Sequence, residues 1–166
     1  MLLTSTYSIL HSACDYIRQS HQLISTDTLF ENVHFNLKHF DASKIAHRLF
    51  VCNYSDIQSS GGYPEYALLN ISFPTKSFKI TQQIVKFFRK LLTKHNIKLI
   101  GGDTTSYAKI YLSGTVISKP IKKAEIINRK NAKVGDRIDT FKNIGLSKLG
   151  YLSIFKKRQN LNKDLL

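Results

Sequence analysis

"NYSDIQSSGGYPEYALLNISFP", residues 53–74, holds a break followed by an apolar run. Ser59 to Gly62 interrupt the chain, because serine and glycine favour turns over regular structure. Tyr66 to Phe73, YALLNISF, then reads as a strand of the buried type, closed by Pro74, which has no amide hydrogen for a ladder. Ahead of the break, Asp41 is the expected N-cap of a helix from Ala42 to about Ser55, with an apolar stripe of Ile45, Ala46, Leu49 and Phe50. Behind it, Ser77 is placed to cap a second helix, about Thr81 to His95, in which Ile84, Val85, Phe88, Leu91 and Leu92 recur at helical spacing.

Further strands are expected on both sides of this unit. Gln22 to Thr26 reads as a short strand running into a polar loop, and Ile97 to Ile100, IKLI, as another before Gly101-Gly102. Tyr107 to Ser118 reads as a longer one, with Ile110, Leu112 and Thr115 separated by Tyr111, Ser113 and Val116. Strands interleaved with helices in this way predict an α+β fold: a mixed or antiparallel sheet with helices packed on one face. Past Lys119-Pro120 the pattern weakens. INRKNAKVGDRI, residues 127–138, reads as a loop leading to a short strand, and GLSKLGYLSIFKK, residues 145–157, as the start of a helix.

A chain of 166 residues is one ordinary domain or a little more, and on folding it buries roughly 70% of its unfolded surface. Its hydrophobic content of 42%, without low-complexity tracts or internal repeats, fits a globular protein. The net charge of +14 invites a polyanion partner. Its lysines are scattered, however, with clusters at Lys86, Arg89, Lys90, Lys94 and Lys98 along one amphipathic segment, at Lys119, Lys122 and Lys123, and at Lys156, Lys157 and Arg158. That distribution reads as solvated faces, and nucleic acid is not the expected partner. The first residues lack a basic segment before their short apolar stretch, and no apolar run approaches the roughly 20 residues a spanning helix needs. A cytoplasmic protein without a membrane partner is expected. Cys14 and Cys52 have no metal-type spacing.

Three aspartates share similar surroundings: Asp27 in STDTLF, Asp56 in NYSDIQSSGG and Asp103 in IGGDTTS. Each lies at or near the end of an expected apolar element, beside hydroxyls or glycines. Aspartate is an ordinary cap and turn residue, and one alone implies nothing more. Three gathered at one sheet end would repel one another unless a cation sat among them, and hard carboxylate ligands suit Mg²⁺. Magnesium held this way shares a nucleotide's phosphates, which points towards phosphoryl transfer. Gly101 and Gly102 add a backbone that can approach a phosphate closely. Other nucleotide and metal signatures are absent. GLSKLG, Gly145 to Gly150, has the glycine spacing of a Walker A loop but continues Tyr151-Leu152 in place of Lys-Ser/Thr, and there is no G-x-G-x-x-G or His-Glu-x-x-His.

Taken in order, STDTLFENVHF, NYSDIQSSGGYPEYALLNISFP, LIGGDTT and NRKNAKVGDRI resemble the thiamine-monophosphate kinase family of the aminoimidazole-ribonucleotide-synthase-like ATP-binding superfamily. The resemblance runs from about Gln22 to about Ser153. It implies transfer of the γ-phosphoryl group of ATP to thiamine monophosphate, giving thiamine diphosphate by direct in-line attack with several Mg²⁺ ions. It further implies that Asp27, Asp56 and Asp103 ligate metal, that Ser25 and Thr26 contribute oxygens to the same cluster, and that His34 contacts substrate. Gly102 with Asp103 would line the ATP site, and Arg129 would reach the nucleotide phosphates. A homodimer formed by pairing sheets is implied as well.

The expected organisation is a divergent segment over residues 1–20, an ATP- and Mg²⁺-binding domain over 21–140, and the start of a further region over 141–166. Two departures bear on turnover. His11 to Asp15, HSACD, stands where the family has paired acids, and the family's second domain is not in the 166 residues. Weak or absent turnover is therefore expected. A non-catalytic homodimerising domain and a basic nucleic-acid-binding module remain the alternatives.

Overall fold

The structure is a computed structural model that describes residues 17–19, 22–119, 122, 126–140 and 144–155. The described residues fall into two compact units that divide between Asn128 and Arg129. The first is built from six strands and two helices: β1 (Ile17–Gln19), β2 (Gln22–Phe30), α1 (Ala42–Ser59), β3 (Pro64–Phe73), α2 (Phe78–Lys94), β4 (Lys98–Gly101), β5 (Thr104–Ser106) and β6 (Tyr111–Ser118). The second holds a 3-10 turn, Arg129–Asn131, and the helix α3 (Leu146–Phe155). Residues 127–138 contain no strand among those described, contrary to the sequence expectation. Their charged and glycine-containing run offers no apolar face to bury.

The sheet order is β1-β2-β6-β3-β4, with β5 also paired to β3. The first three pairings along this path are antiparallel, whereas β4 and β5 both run parallel to β3. The sheet is thus mixed. Both helices lie on one of its faces, as the interleaved apolar patterns predict. Leu23 and Leu29 of β2, Leu112 and Val116 of β6, and Ala67, Leu69 and Ile71 of β3 form the floor of the core. Ile45, Ala46, Leu49, Phe50 and Ile57 cover it from α1, and Ile84, Phe88 and Leu92 from α2. Full burial of one such side chain contributes about 1.5–3 kcal/mol, so the two helical stripes fix the layers.

Several element ends differ from the expectation, each for a local reason. Helix α1 starts where Asp41 caps it, the carboxylate accepting the Lys44 amide hydrogen at 2.9 Å, but it continues to Ser59 because Ile57 is buried. Asp56 therefore sits within the last helical turn rather than beyond it. Strand β2 runs on to Phe30 through its pairing with β6, which puts Asp27 inside a strand. Ser77 occupies the N-cap position of α2 without a side-chain capping bond, and the helix begins at Phe78. In β6 the buried set is Leu112, Gly114, Val116 and Ser118; Thr115 faces the other way, because a strand alternates strictly by two.

Candidate functional site

Strand β2 and helix α1 form one wall of the site. Ser25 is 1% exposed, and its hydroxyl is satisfied by donating to Asp56 Oδ2 at 2.9 Å. Alternation places Asp27 on the same face of β2 as Ser25. Thr26 is turned to the opposite face, where its hydroxyl donates to the Gly114 carbonyl at 3.1 Å and lies 3.0 Å from the Thr115 hydroxyl. Only its backbone is left on the Asp27 side.

Arg48, Cys52 and Asp56 follow one another at four-residue spacing along α1 and so share a helical stripe beside β2. Burial pushes the Cys52 thiol up from its ordinary value, and the charges of Asp27 and Asp56 push it further, against an opposing pull from Arg48. One thiol thus feels both carboxylates and the guanidinium. It is a protonated, weakly nucleophilic group at neutral pH. At the far end of the stripe Arg48 donates to the carbonyl of His34. The His34 ring accepts the Phe30 amide hydrogen at Nδ1, 3.0 Å away, which leaves Nε2 to carry the proton of the neutral ring. Partial burial and then Arg48 lower its pKa, so the neutral form dominates at pH 7.

Beyond β6 and β3 lies the second wall. Asp27 is opposite Gly114, Gly114 is opposite Leu69, and Gly102 packs directly on the Leu69 carbonyl. Gly102 has φ +145°, and a Cβ there would fall 1.8 Å from that oxygen, so only glycine fits. This interruption separates β4 from β5 and turns Asp103 outward. The Asp103 carbonyl still accepts the Ile71 amide hydrogen at 2.9 Å, and its carboxylate accepts that of Thr104 at 2.8 Å. A pocket of about 390 Å³ opens here, floored by Leu69 and Ile71 and walled by Val85, Arg89, Gly102 and Asp103.

The structure brings Ser25, Asp27 and Asp56 together, with His34 joined to their wall through Arg48. It sets Asp103 between β4 and β5, on the other side of β3 from Asp27. Among the described residues, no group of three His, Cys, Asp or Glu side chains is placed to hold one metal ion. Arg129 opens the 3-10 turn of the second unit. His11 to Asp15 lie outside the described residues. Arg48, Cys52 and Arg89 carry no motif of their own. The four-residue spacing of the first two ahead of Asp56 is legible in the sequence once the helix is known to reach Ser59.

Comparison with known proteins gives concordant results. The chain is 34% identical over 142 residues to a thiamine-monophosphate kinase from Leptospira interrogans, covering 82% of this chain and 44% of that protein. It is 38% identical over 136 residues to the thiamine-monophosphate kinase of Buchnera aphidicola subsp. Schizaphis graminum, covering 81% and 41%. The chain thus spans less than half the length of these relatives. Among solved structures, a thiamine-monophosphate kinase from Stenotrophomonas maltophilia matches with a TM-score of 0.62 at 27% identity, covering 74% of this chain and 42% of that one. The structure of AaThiL complexed with AMPPCP and TMP shares the fold, with a TM-score of 0.71 at 20% identity over 89% of this chain and 48% of that one. The family described as AIR synthase related protein, N-terminal domain, matches residues 12–119. With the mixed sheet, the one-sided helical layer and this match in agreement, the chain belongs to the AIR synthase related family.

Proposed function

We propose that this chain carries the ATP- and metal-binding part of a thiamine-monophosphate kinase. The observation that supports it most is the pairing of Ser25 with Asp56 beside Asp27, on the same sheet as the glycine-lined pocket at Asp103. Two carboxylates and a hydroxyl are hard oxygen donors, and Mg²⁺ takes one or two carboxylates and completes its shell with water and phosphate. The donor set therefore fits Mg²⁺ at Asp27, Asp56 and Ser25. When bound, the ion would offset the repulsion between two phosphate-bearing substrates.

The roles of the side chains follow from their chemistry. A terminal phosphate is already a competent nucleophile, so positioning and charge neutralisation suffice and no general base is required. In this reading Asp103 and Gly102 serve the nucleotide, and Asp27 and Asp56 the metal. His34, neutral and with Nε2–H free of its Phe30 bond, would donate to substrate. Arg129 is assigned to the nucleotide phosphates on the sequence resemblance alone. Thiamine monophosphate is the proposed acceptor, as the chain's relatives are thiamine-monophosphate kinases.

A homodimer belongs to the same proposal. The sheet face opposite the helices carries half-buried Ile24, Leu68, Tyr111 and Ile117 and the 40% exposed Phe30, and both helices lie on the other side. A cytoplasmic location is in keeping with this, and no described helix is long and apolar enough to cross a membrane. The test is the Mg²⁺-dependent stabilisation of the purified chain by ATP. Ligand at 100 times its Kd adds about 2.7 kcal/mol to folding stability, and a null thermal shift with ATP, with and without Mg²⁺, refutes the nucleotide site. Formation of thiamine diphosphate, followed by chromatography, then decides whether the bound nucleotide is used.

A further inference from the structure

Arg89 stands out among the cations of α2. Like its neighbours Lys86 and Lys90 it is exposed, but Lys90 and Lys94 border a different groove, whereas Arg89 lines the pocket at the Gly101–Thr104 interruption. The reason is helical geometry. Thr81, Ile84, Phe88 and Leu92 form the buried stripe of α2, and Val85 and Arg89 run along its flank one turn apart. That flank overhangs β4 and β5, the last strands on their side of the sheet. Thr93 donates to the Arg89 backbone carbonyl, but among the described residues the guanidinium makes no hydrogen bond or ion pair. Asp103 lines the same pocket without pairing with it.

We propose that Arg89 is an anion-binding residue of this pocket and contacts a phosphate of the nucleotide held there, an inference that rests on the kinase reading above. Leu69, Ile71, Val85 and Leu99 line its apolar side, and the guanidinium is the cationic side chain among the residues that form the pocket. An arginine presents planar, paired donors that match two phosphate oxygens, a geometry a lysine does not reproduce. Gly101, Gly102 and Thr104 line the same pocket as Arg89, on the side of the strand interruption.

The experiment measures Kd by titration calorimetry for MgATP and for adenosine on the full chain and on Arg89→Gln and Arg89→Lys. Because Arg89 is exposed, both variants are expected to keep the parent's thermal midpoint without ligand. Arg89→Gln is expected to weaken MgATP by about 10-fold or more, with Arg89→Lys in between and adenosine unchanged. Equal losses for MgATP and adenosine place the guanidinium on the base and overturn the phosphate contact. Undiminished MgATP affinity in Arg89→Gln overturns it also. If the parent chain itself binds neither MgATP nor adenosine, the kinase reading fails together with this one, a result distinct from a normal parent with a normal variant.

Discussion

The two walls of the site are built by opposite means. On the β2–α1 side, side chains hold side chains: Ser25 donates to Asp56, Arg48 donates to the His34 carbonyl, and Cys52 feels Asp27, Arg48 and Asp56 together. On the β4–β5 side the backbone shapes the site, with Gly102 against the Leu69 carbonyl and Asp103 exposed to solvent. The first wall is prearranged for charge and the second for shape. Removing a carboxylate should alter the electrostatics of one wall and leave its fold standing, whereas adding a methyl group should break the other outright.

The largest effect is therefore expected from Gly102→Ala. Its Cβ would lie 1.8 Å from a carbonyl oxygen and 2.9 Å from the Leu69 amide nitrogen, at a φ that alanine avoids. Strain and backbone displacement together should cost about 3 kcal/mol or more, lowering the thermal midpoint by roughly 10 °C. An unchanged midpoint by calorimetry would mean that the second wall tolerates a side chain and is not set by its backbone.

A smaller, purely electrostatic effect tests the first wall. In a Cys14→Ser background, Asp27→Asn should lower the pKa of the Cys52 thiol, because it removes the larger of the two carboxylate contributions that raise it. Asp56→Asn should act in the same direction and less strongly. The pH dependence of Cys52 alkylation reads the shift, and a midpoint that stays put in both variants would separate the acids from the thiol.

These walls were unequally legible in the sequence. The helices announced themselves, since Ile45, Leu49, Ile84 and Phe88 recur at a period no strand produces. Tyr66 to Phe73 was equally clear, because a short, mostly apolar run between glycine and proline has few other uses. Asp27 was harder to place. The polar run Ser25 to Thr28 resembles a loop, and only pairing with β6 makes it a strand. Local pattern is silent about a partner some ninety residues away. The same limit applies to the three aspartates: their places across a sheet depend on strand order, which composition does not encode. Arg89 was visible only as one cation in a lysine-rich face, and its position beside the pocket follows from which edge α2 overhangs.

The smallest expected effect concerns the helix that carries the acid wall. Hydrogen bonds from the Ser43 hydroxyl and the Lys44 amide lower the Asp41 pKa from 3.8 to about 2 in the folded chain. A depressed folded value means that Asp41 contributes stability above its unfolded pKa and that this contribution is lost as the pH falls through about 2. Asparagine caps a helix comparably but does not titrate there. Denaturation midpoints between pH 5 and pH 2 should therefore fall more steeply for the parent than for Asp41→Asn. Parallel curves would show that the cap does not depend on the carboxylate's charge.

The break at Gly101 to Asp103 has one more consequence, for how the protein behaves in a crowded solution. It cuts the outer strand into pieces of four and three residues, β4 and β5. A long, flat outer strand is a template on which a stranger's backbone can zip up, and short bent ones are not. The feature that opens the pocket thus also guards that border of the sheet against unwanted polymerisation.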